Sequence, residues 1–501
     1  MAALVCVLAT GATAQQSLNE PLSAIEWLSR SVEPALRTEP ATSENAVAPQ
    51  VTVTPLDRPS RDTVGLLPSN VTGLPRTIWS ASNETTLVDL VRAEQVEALP
   101  AIQEFLKVLM LAEADAPLGA GSDDALFLAR IDKLLDLGAL EPAKALIEQG
   151  KPDTPALFRR WFDVALLTGT EDSACQVMRN NPSVAPTYIA RIFCLARSGD
   201  WTAAALTLNT HRVLGDITPQ EESLMARFLD PELFEGAPPL TPPQRVSPLM
   251  FRMHEAIGEG LITANLPLAF AHADLRSTTA WKAQLEAAER LARHGALSEN
   301  VLQKNYTARI PAASGGIWDR AAAIQRFDVA MTARDPGAMS ASLPAAWSAM
   351  KEARTEVQFA KLYGAALHDL PLTDTAALIA FEIGLLSPDY EIIAIQTADR
   401  GYDPFLIAIA RGTPQEVRVT TPTALAIQSA FNGATPPPVL QSLINDGKLG
   451  EALLRTVALF NQGYAGDLRA LTDALALLRI VGLEDVARRA ALQLMILDRP
   501  A

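Results

Sequence analysis

Between residues 122 and 215 the chain carries several short segments that begin at a helix-capping residue or a proline and end at a glycine. Serine, threonine and aspartate accept hydrogen bonds from the first free N–H groups of a helix, and glycine adopts the left-handed conformation that ends one. The pattern occurs at 122–138, 142–150, 154–169 and 200–215. Because no comparable series of alternating β-branched runs accompanies it, we predict an all-α fold from about residue 84 onward.

The helices are short, and one turn pattern recurs between them. A glycine is followed by leucine or tryptophan two residues later and by a small residue five residues later, as in Gly138/Leu140/Ala143, Gly199/Trp201/Ala204 and Gly447/Leu449/Ala452. This resembles the turns of tetratricopeptide-type helical hairpins. Since the spacing of the glycines is irregular, we predict an irregular α-solenoid of antiparallel helical hairpins.

A proline-rich stretch at 236–248 interrupts this helical body. It predicts a connection between an N-terminal helical-repeat half at 84–235 and a C-terminal half at 249–501. The alternative is that the prolines lie in a loop along one continuous superhelix, because proline shows only that a helix stops.

The first 83 residues differ from the rest. Residues 1–14 are apolar and end in the small-x-small pattern of a signal peptide, which predicts cleavage between Ala14 and Gln15 and export to the periplasm, although no Lys or Arg precedes the apolar run. Residues 15–37 predict a short amphipathic helix, with apolar residues at helical spacing over 19–33, and 38–83 a disordered Pro/Thr-rich linker. An isolated helix of this length is marginal in water. It therefore docks either on its own chain or on a partner.

Two cysteines remain after the predicted cleavage, Cys175 and Cys194. They lie on two predicted helices joined by a short turn, at a spacing that brings them level in an antiparallel hairpin. We predict a disulfide, which suits an oxidising compartment. The alternative is that both are buried thiols that pack as small apolar side chains.

Charge and hydropathy exclude several classes of protein. The net charge of −15 disfavours nucleic acid as a partner, because its phosphates would be repelled. No run in the mature chain approaches the ~20 apolar residues of a transmembrane helix. We expect a protein or peptide partner instead.

The motifs of the common enzyme classes are incomplete in this sequence. His254 and Glu255 begin a zinc-protease motif, but Gly258 stands where its second histidine would be. Glu222 and Ser223 resemble the catalytic pair of lytic transglycosylases, yet residues 218–221 form a capping box that gives this acidic cluster a structural role. We therefore predict no catalytic residue, no cofactor and no metal ligand.

One loop has the composition of an anion-binding nest. Ser314, Gly315 and Gly316 precede a predicted helix, where backbone N–H groups and the nearby Arg309 and Arg320 favour a small anion. The alternative is an ordinary flexible turn before a helix.

Segments across most of the mature chain, among them GLLPSNVTGLP, ARIFCLARSGDW, RFLDPELFEG and PAASGGIWDRAAAIQRF, resemble an uncharacterised family of exported alphaproteobacterial proteins. Members are sometimes labelled "antifreeze glycopeptide polyprotein", but this chain has no tandem Ala-Ala-Thr repeats. The resemblance implies an exported helical protein and brings no catalytic residues with it.

Together these features predict a non-enzymatic periplasmic α-solenoid scaffold that binds a protein or peptide, with a role in organising the cell envelope. The alternative is a peptidoglycan-directed enzyme or sugar-binding superhelix related to the helical domain of lytic transglycosylases.

Overall fold

The computed structural model describes residues 60–497. Within this range it contains 25 α-helices and seven short 3-10 helices, and no β-strand, which confirms the all-α prediction. The predicted signal peptide with its Ala14–Gln15 cleavage site, the helix at 19–33 and the linker up to residue 59 lie outside the described residues.

The helices are numbered in chain order. Those of the first part are α1 (Ser69–Thr72), α2 (Glu84–Ala93), α3 (Pro100–Leu111), α4 (Ala125–Asp136), α5 (Leu140–Gly150), α6 (Pro155–Thr168), α7 (Glu171–Asn180), α8 (Tyr188–Arg197), α9 (Trp201–Leu214), α10 (Pro219–Leu229), α11 (Pro248–Ala256) and α12 (Ala271–Asp274). Those of the second part are α13 (Trp281–Arg293), α14 (Glu299–Thr307), α15 (Ile317–Ala333), α16 (Pro336–Ala353), α17 (Glu356–His368), α18 (Asp374–Leu386), α19 (Tyr390–Gln396), α20 (Pro404–Arg411), α21 (Pro422–Phe431), α22 (Pro438–Asn445), α23 (Leu449–Tyr464), α24 (Leu468–Ile480) and α25 (Glu484–Ile496).

The main hydrophobic core joins helices from both ends of the described chain. It contains apolar side chains from residues 67–157 and again from 281–497. Helix α25 packs on α3, and α23 packs on α2. The backbone N–H of Ala101 donates to Oε1 of Gln493 at 2.8 Å across this contact. We call this unit the body.

Helices α6–α11, residues 155–257, form a second unit with its own core, which we call the insert. Its buried side chains include Phe162, Phe193 and Met225, and α11 returns to pack on α6. Consecutive helices pack on one another from α4 through to α11. In addition, α4 contacts α6, and α8 contacts α10. A small cluster around Phe251 and Phe270 joins the insert to the body.

The boundaries therefore differ from the predicted halves at 84–235 and 249–501. The proline-rich stretch 236–248 connects α10 to α11, both of which belong to the insert, since Leu249 and Met253 of α11 are buried in its core. The prolines end a helix without separating two cores, because side chains on either side of the stretch still pack together.

The predicted linker also ends earlier than residue 83. Residues 60–83 contain short helices that anchor the segment in the body through a few buried side chains, with Asp62 and Trp79 both fully inaccessible to solvent. Arg130 of α4, also fully buried, holds this segment by donating hydrogen bonds to four backbone carbonyls. These belong to Asp62 (3.1 Å), Val64 (2.9 Å), Met110 (2.8 Å) and Ala112 (2.8 Å).

Several helix ends follow the predicted capping. The side chains of Thr154 and Asp200 cap α6 and α9, and Thr218 forms a capping box with Glu221 at α10. The end of α5 differs from the prediction, because Gly150 is its last helical residue and Lys151 adopts the positive φ of 60°. Position 150 needs glycine because the neighbouring ring leaves no room for a side chain: a Cβ there would overlap the ring of Phe127. The predicted starts of α4 and α5 also shift, to Ala125 and Leu140.

Glu94 gives the body a testable pH dependence. Only 6% of this residue is exposed, and burial raises the pKa of its carboxyl group to about 8 although nearby Lys133 opposes the shift. The folded state therefore binds this proton more tightly than the unfolded chain, whose glutamate pKa is about 4.3. The resulting stability is present below pH ~4 and is lost as the pH rises toward 8.

We expect Glu94→Gln to leave the free energy of unfolding at pH 5 within about 1 kcal/mol of wild type and to raise it by about 2 kcal/mol or more at pH 9. The neutral amide replaces a carboxylate that the folded protein must otherwise keep charged and buried. Urea unfolding of both proteins at the two pH values measures the difference. An equal change in the free energy of unfolding at pH 5 and at pH 9 would contradict a raised pKa for Glu94.

Candidate partner-binding surface

Helix α9 lies at the edge of the insert. It packs mainly against α8 and α10. Of its fourteen residues only Ala204 and Leu208 are buried. Most of its surface is therefore in contact with neither the insert core nor the body.

The outward side of α9 is uncharged and carries two largely exposed aliphatic residues. Leu206 is 66% exposed and Val213 is 81% exposed, and because they are seven residues apart they lie on one face of the helix. Thr202, one turn before Leu206, and Asn209, between Leu206 and Val213, lie on the same side, so this stripe carries no charge. Trp201 at the N-terminal end of the helix and Leu214 at its C-terminal end are 51% and 66% exposed. We call these six residues the α9 face.

The groups that border the α9 face are already paired. The ring of Tyr188 stacks on His211, with centroids 3.4 Å apart, and Nδ1 of His211 lies 2.8 Å from a carboxylate oxygen of Asp216. Arg212 donates to Glu222 at 3.2 Å. The opposite charges of Arg212 and Glu222 compensate each other, and Asp216 lies just beyond the C-terminal end of α9.

Such a concentration of exposed apolar side chains is unusual in this protein. Most other largely exposed aliphatic residues of the described range stand singly on separate helices, and α19 with Ile392 and Ile395 has only two. Isolated exposed aliphatic residues are normal on soluble proteins, whereas a contiguous apolar patch marks an interaction site. This contrast makes the α9 face the candidate site.

The predicted disulfide between Cys175 and Cys194 is present. It joins α7 to α8 inside the insert, with 5.0 Å between the two Cα atoms. Helix α8 is the helix on which α9 packs. The bridge therefore fixes the support beneath the α9 face.

We expect the double variant Cys175→Ala/Cys194→Ala to lower the free energy of unfolding of the insert by about 3 kcal/mol, since it releases a closed loop of ~19 residues in the unfolded chain. Hydrogen exchange followed by proteolysis reports the insert and the body separately. Exchange of α7 and α8 is expected to accelerate while that of α23 and α24 stays unchanged. Equal acceleration of exchange in the insert and in the body would contradict a stabilising role of the disulfide that is confined to the insert.

Of the two cations expected beside the predicted anion nest, Arg309 is exposed and Arg320 is engaged elsewhere. Ser314, Gly315 and Gly316 are exposed before α15, but Arg320 donates two hydrogen bonds to Glu289, at 3.0 and 2.8 Å. Glu289 also accepts a hydrogen bond from Tyr306 at 2.7 Å. This buried cluster is satisfied internally and is not directed toward the loop.

The other residues considered in the sequence have structural environments. Ser223 donates to the carbonyl of Pro219 at 2.8 Å, within the first turn of α10, while Glu222 pairs with Arg212. His254 is buried within α11, where burial lowers the pKa of its imidazole. Among residues 60–497 no group of three or more His, Cys, Asp or Glu side chains is arranged to hold a metal ion.

A groove separate from the α9 face lies at the C-terminal end of α17. It is an open groove of about 470 Å³, and Nε2 of His368 lies 2.5 Å from Oε1 of Gln396 on its wall. Asp369 and Arg400 place opposite charges along the same lining. This mixed lining selects no particular ligand chemistry, in contrast to the α9 face.

Sequence reasoning identified α9 as a helix but missed its exposed face. Trp201 belongs to the recurring turn pattern, yet half of it is exposed, and its ring centroid lies 6.4 Å from that of Phe228. A signal was available, because the apolar residues of this helix do not form one stripe that a single neighbouring core could cover.

The chain matches no family model, no curated protein and no solved structure. In the part of the chain that the structure describes, none of the helices combines the length and apolar character needed to span a membrane.

Proposed function

We propose that this protein is a periplasmic helical scaffold that binds an amphipathic helix of a protein partner on the α9 face. The observation that carries the proposal is the uncharged stripe of Leu206 and Val213, with Trp201 and Leu214 exposed at the two ends of the helix, on a helix that packs mainly on its two neighbours. An amphipathic helix fits such a surface because its own apolar residues recur at the same spacing.

The arrangement of α4–α10 supports this function. We interpret the succession of packed helices, with the additional contacts α4–α6 and α8–α10, as a short irregular solenoid of tetratricopeptide-like hairpins inserted in the body. Helical arrays of this kind present an extended surface that is held rigid by neighbouring repeats. The disulfide between Cys175 and Cys194, together with the predicted signal peptide, supports an oxidising location such as the periplasm.

Site-specific photo-crosslinking in the cells that produce the protein tests the proposal. The variant Val213→p-benzoylphenylalanine places the reactive group on the α9 face, and Val439→p-benzoylphenylalanine places it at a comparably exposed position of α22, which is 70% exposed. We expect an adduct heavier than the chain at position 213 and none at 439. The linked peptide should carry apolar residues at helical spacing.

A second substitution makes the result specific to the surface. Leu206→Asp places a charge at the centre of the α9 face without touching the core, and it should reduce the adduct at position 213 at least 5-fold. An absence of adduct at 213, an equal adduct at 439, or linkage only to a glycan strand would overturn the proposal.

A further inference from the structure

The proline-rich stretch between α10 and α11 has a regular pattern of burial. From residue 237 to residue 246 every third residue is buried or half-buried, and the residues between them are exposed. The inward residues are Ala237, Leu240, Pro243 and Val246. A period of three is neither that of an α-helix nor that of a β-strand. It is the period of a polyproline II helix, which has three residues per turn.

The composition of residues 237–243 accounts for this conformation. Proline fixes its own φ near about −65° and keeps the residue before it out of the α-helical region. In this sequence, APPLTPP, every residue except Leu240 is either a proline or the residue before one. Within the described part of the chain, residues 238–246 form no hydrogen bond between backbone groups, as a polyproline II helix requires.

Side chains of the insert and of the turn after α11 hold this segment in place. Arg227 of α10 donates to the carbonyl of Pro238 at 2.8 Å and pairs with Glu259 at 2.7 Å. Glu259 in turn accepts a hydrogen bond from the backbone N–H of Leu240 at 2.8 Å. The side chain of Leu240 packs against the insert core. Because the segment is already fixed in the free protein, a partner that binds it loses little affinity to ordering the chain.

The outward residues of the segment form a ridge. Pro239 and Pro242 are three residues apart and therefore lie on one side of the polyproline II helix, while Pro238 and Thr241 lie on a neighbouring side. All four residues are exposed. We call them the proline ridge. Its third side faces the insert, so the ridge offers two of its three sides to a ligand.

The two ends of the proline ridge carry opposite charges. Glu235 is exposed three residues before Pro238, and Arg245 is exposed three residues after Pro242. Complementary charges on a partner would fix the direction in which the ridge lies against it. A partner is therefore expected to be acidic where it meets Arg245.

We infer that the proline ridge docks in an aromatic-lined groove of a partner protein. Grooves of this kind bind prolines that are spaced three residues apart, because the polyproline II helix is formed in advance and its rings pack between aromatic side chains. The ridge is a second binding surface of the insert, and it differs in chemistry from the α9 face, which would bind a helix.

Binding of the purified chain to an array of isolated SH3 and WW domains tests the inference, since both present such grooves. We expect wild type to bind at least one domain and the double variant Pro239→Ala/Pro242→Ala to bind it about 10-fold more weakly or less. The matched control is Pro182→Ala, at an exposed proline in a 3-10 helix of the same insert, which should bind within about 2-fold of wild type.

A further variant keeps the prolines and changes only the charge. Arg245→Glu should weaken binding to the same domain about 3-fold or more, because it places two acidic groups together. Wild type that binds no domain, or binding that the double proline variant retains, would overturn the inference, as would an equal loss in Pro182→Ala.

The outcome is separate from that of the proposed function. Leu206→Asp, on the α9 face, should leave binding to the SH3 and WW domains unchanged. If the proline ridge binds none of these domains while position 213 still crosslinks to a partner helix in cells, the inference falls and the proposed function stands. If the ridge binds and position 213 gives no adduct, the proposed function falls and the inference stands.

Discussion

Replacing Arg130 with methionine is expected to lower the free energy of unfolding of the body by about 4 kcal/mol or more. The guanidinium group is fully buried and donates hydrogen bonds to the carbonyls of Asp62, Val64, Met110 and Ala112. Methionine fills much of the same space but leaves these acceptors unpaired, and each buried unpaired acceptor costs about 1–3 kcal/mol. Burial lowers the pKa of Arg130 only to about 10, so the arginine remains charged at neutral pH.

Urea unfolding measures the loss. The matched control is Arg326→Met on α15, because Arg326 is exposed and makes no ion pair with any of the described residues. The control should stay within about 0.5 kcal/mol of wild type. If both variants lose the same stability, Arg130 does not hold residues 60–83 to the body as the hydrogen bonds indicate.

The second large effect is expected for Trp79→Ala, at about 3 kcal/mol. Trp79 is fully buried in the main core, packed so closely on Gly450 of α23 that a Cβ at position 450 would overlap the indole ring. Removing the ring leaves a cavity between the first and last thirds of the body, and substitutions of this kind cost 3–5 kcal/mol. We expect a loss at the lower end of this range because the buried indole Nε1 has no hydrogen-bond partner among the described residues. Removing the indole also removes the free-energy cost of burying that unpaired N–H group.

Trp201→Ala on the α9 face is the matched control for this substitution. The same side chain is removed there, but from a position that is 51% exposed, and the loss should stay below about 1 kcal/mol. Thermal unfolding of both variants compares them directly. A larger loss of stability for Trp201→Ala than for Trp79→Ala would contradict the placement of Trp79 in the core.

These two residues also explain what the sequence did not reveal. Residues 60–83 have no sustained apolar periodicity, so they were predicted as a linker. Their order comes from distant partners, Arg130 on α4 and Gly450 on α23, which local patterns do not report. The contact between α3 and α25 likewise joins residues that are far apart in the sequence.

Local chemistry was predicted more successfully. The caps at Thr154, Asp200 and Thr218 and the bridge between Cys175 and Cys194 involve residues close in sequence, whose spacing fixes their geometry. The α9 face was visible only in part. The sequence shows that the apolar residues of α9 do not form a single stripe, but which side lacks a neighbour depends on the packing of α8 and α10 around it.

The insert offers a site for binding that is independent of the rest of the fold. Because the insert has its own core, the stability of the body and the occupancy of the α9 face can be measured separately. Variants at Arg130 and Trp79 therefore test the architecture, while variants at Leu206 and Val213 test the function.

The most direct measurement is photo-crosslinking, in the cells that produce the protein, of the chain that carries p-benzoylphenylalanine at position 213, followed by mass spectrometry of the digested product. The account predicts a linkage from position 213 to a peptide of another protein whose apolar residues recur at helical spacing. A position 213 that links to no other protein, or that links no more than position 439 does, would contradict it.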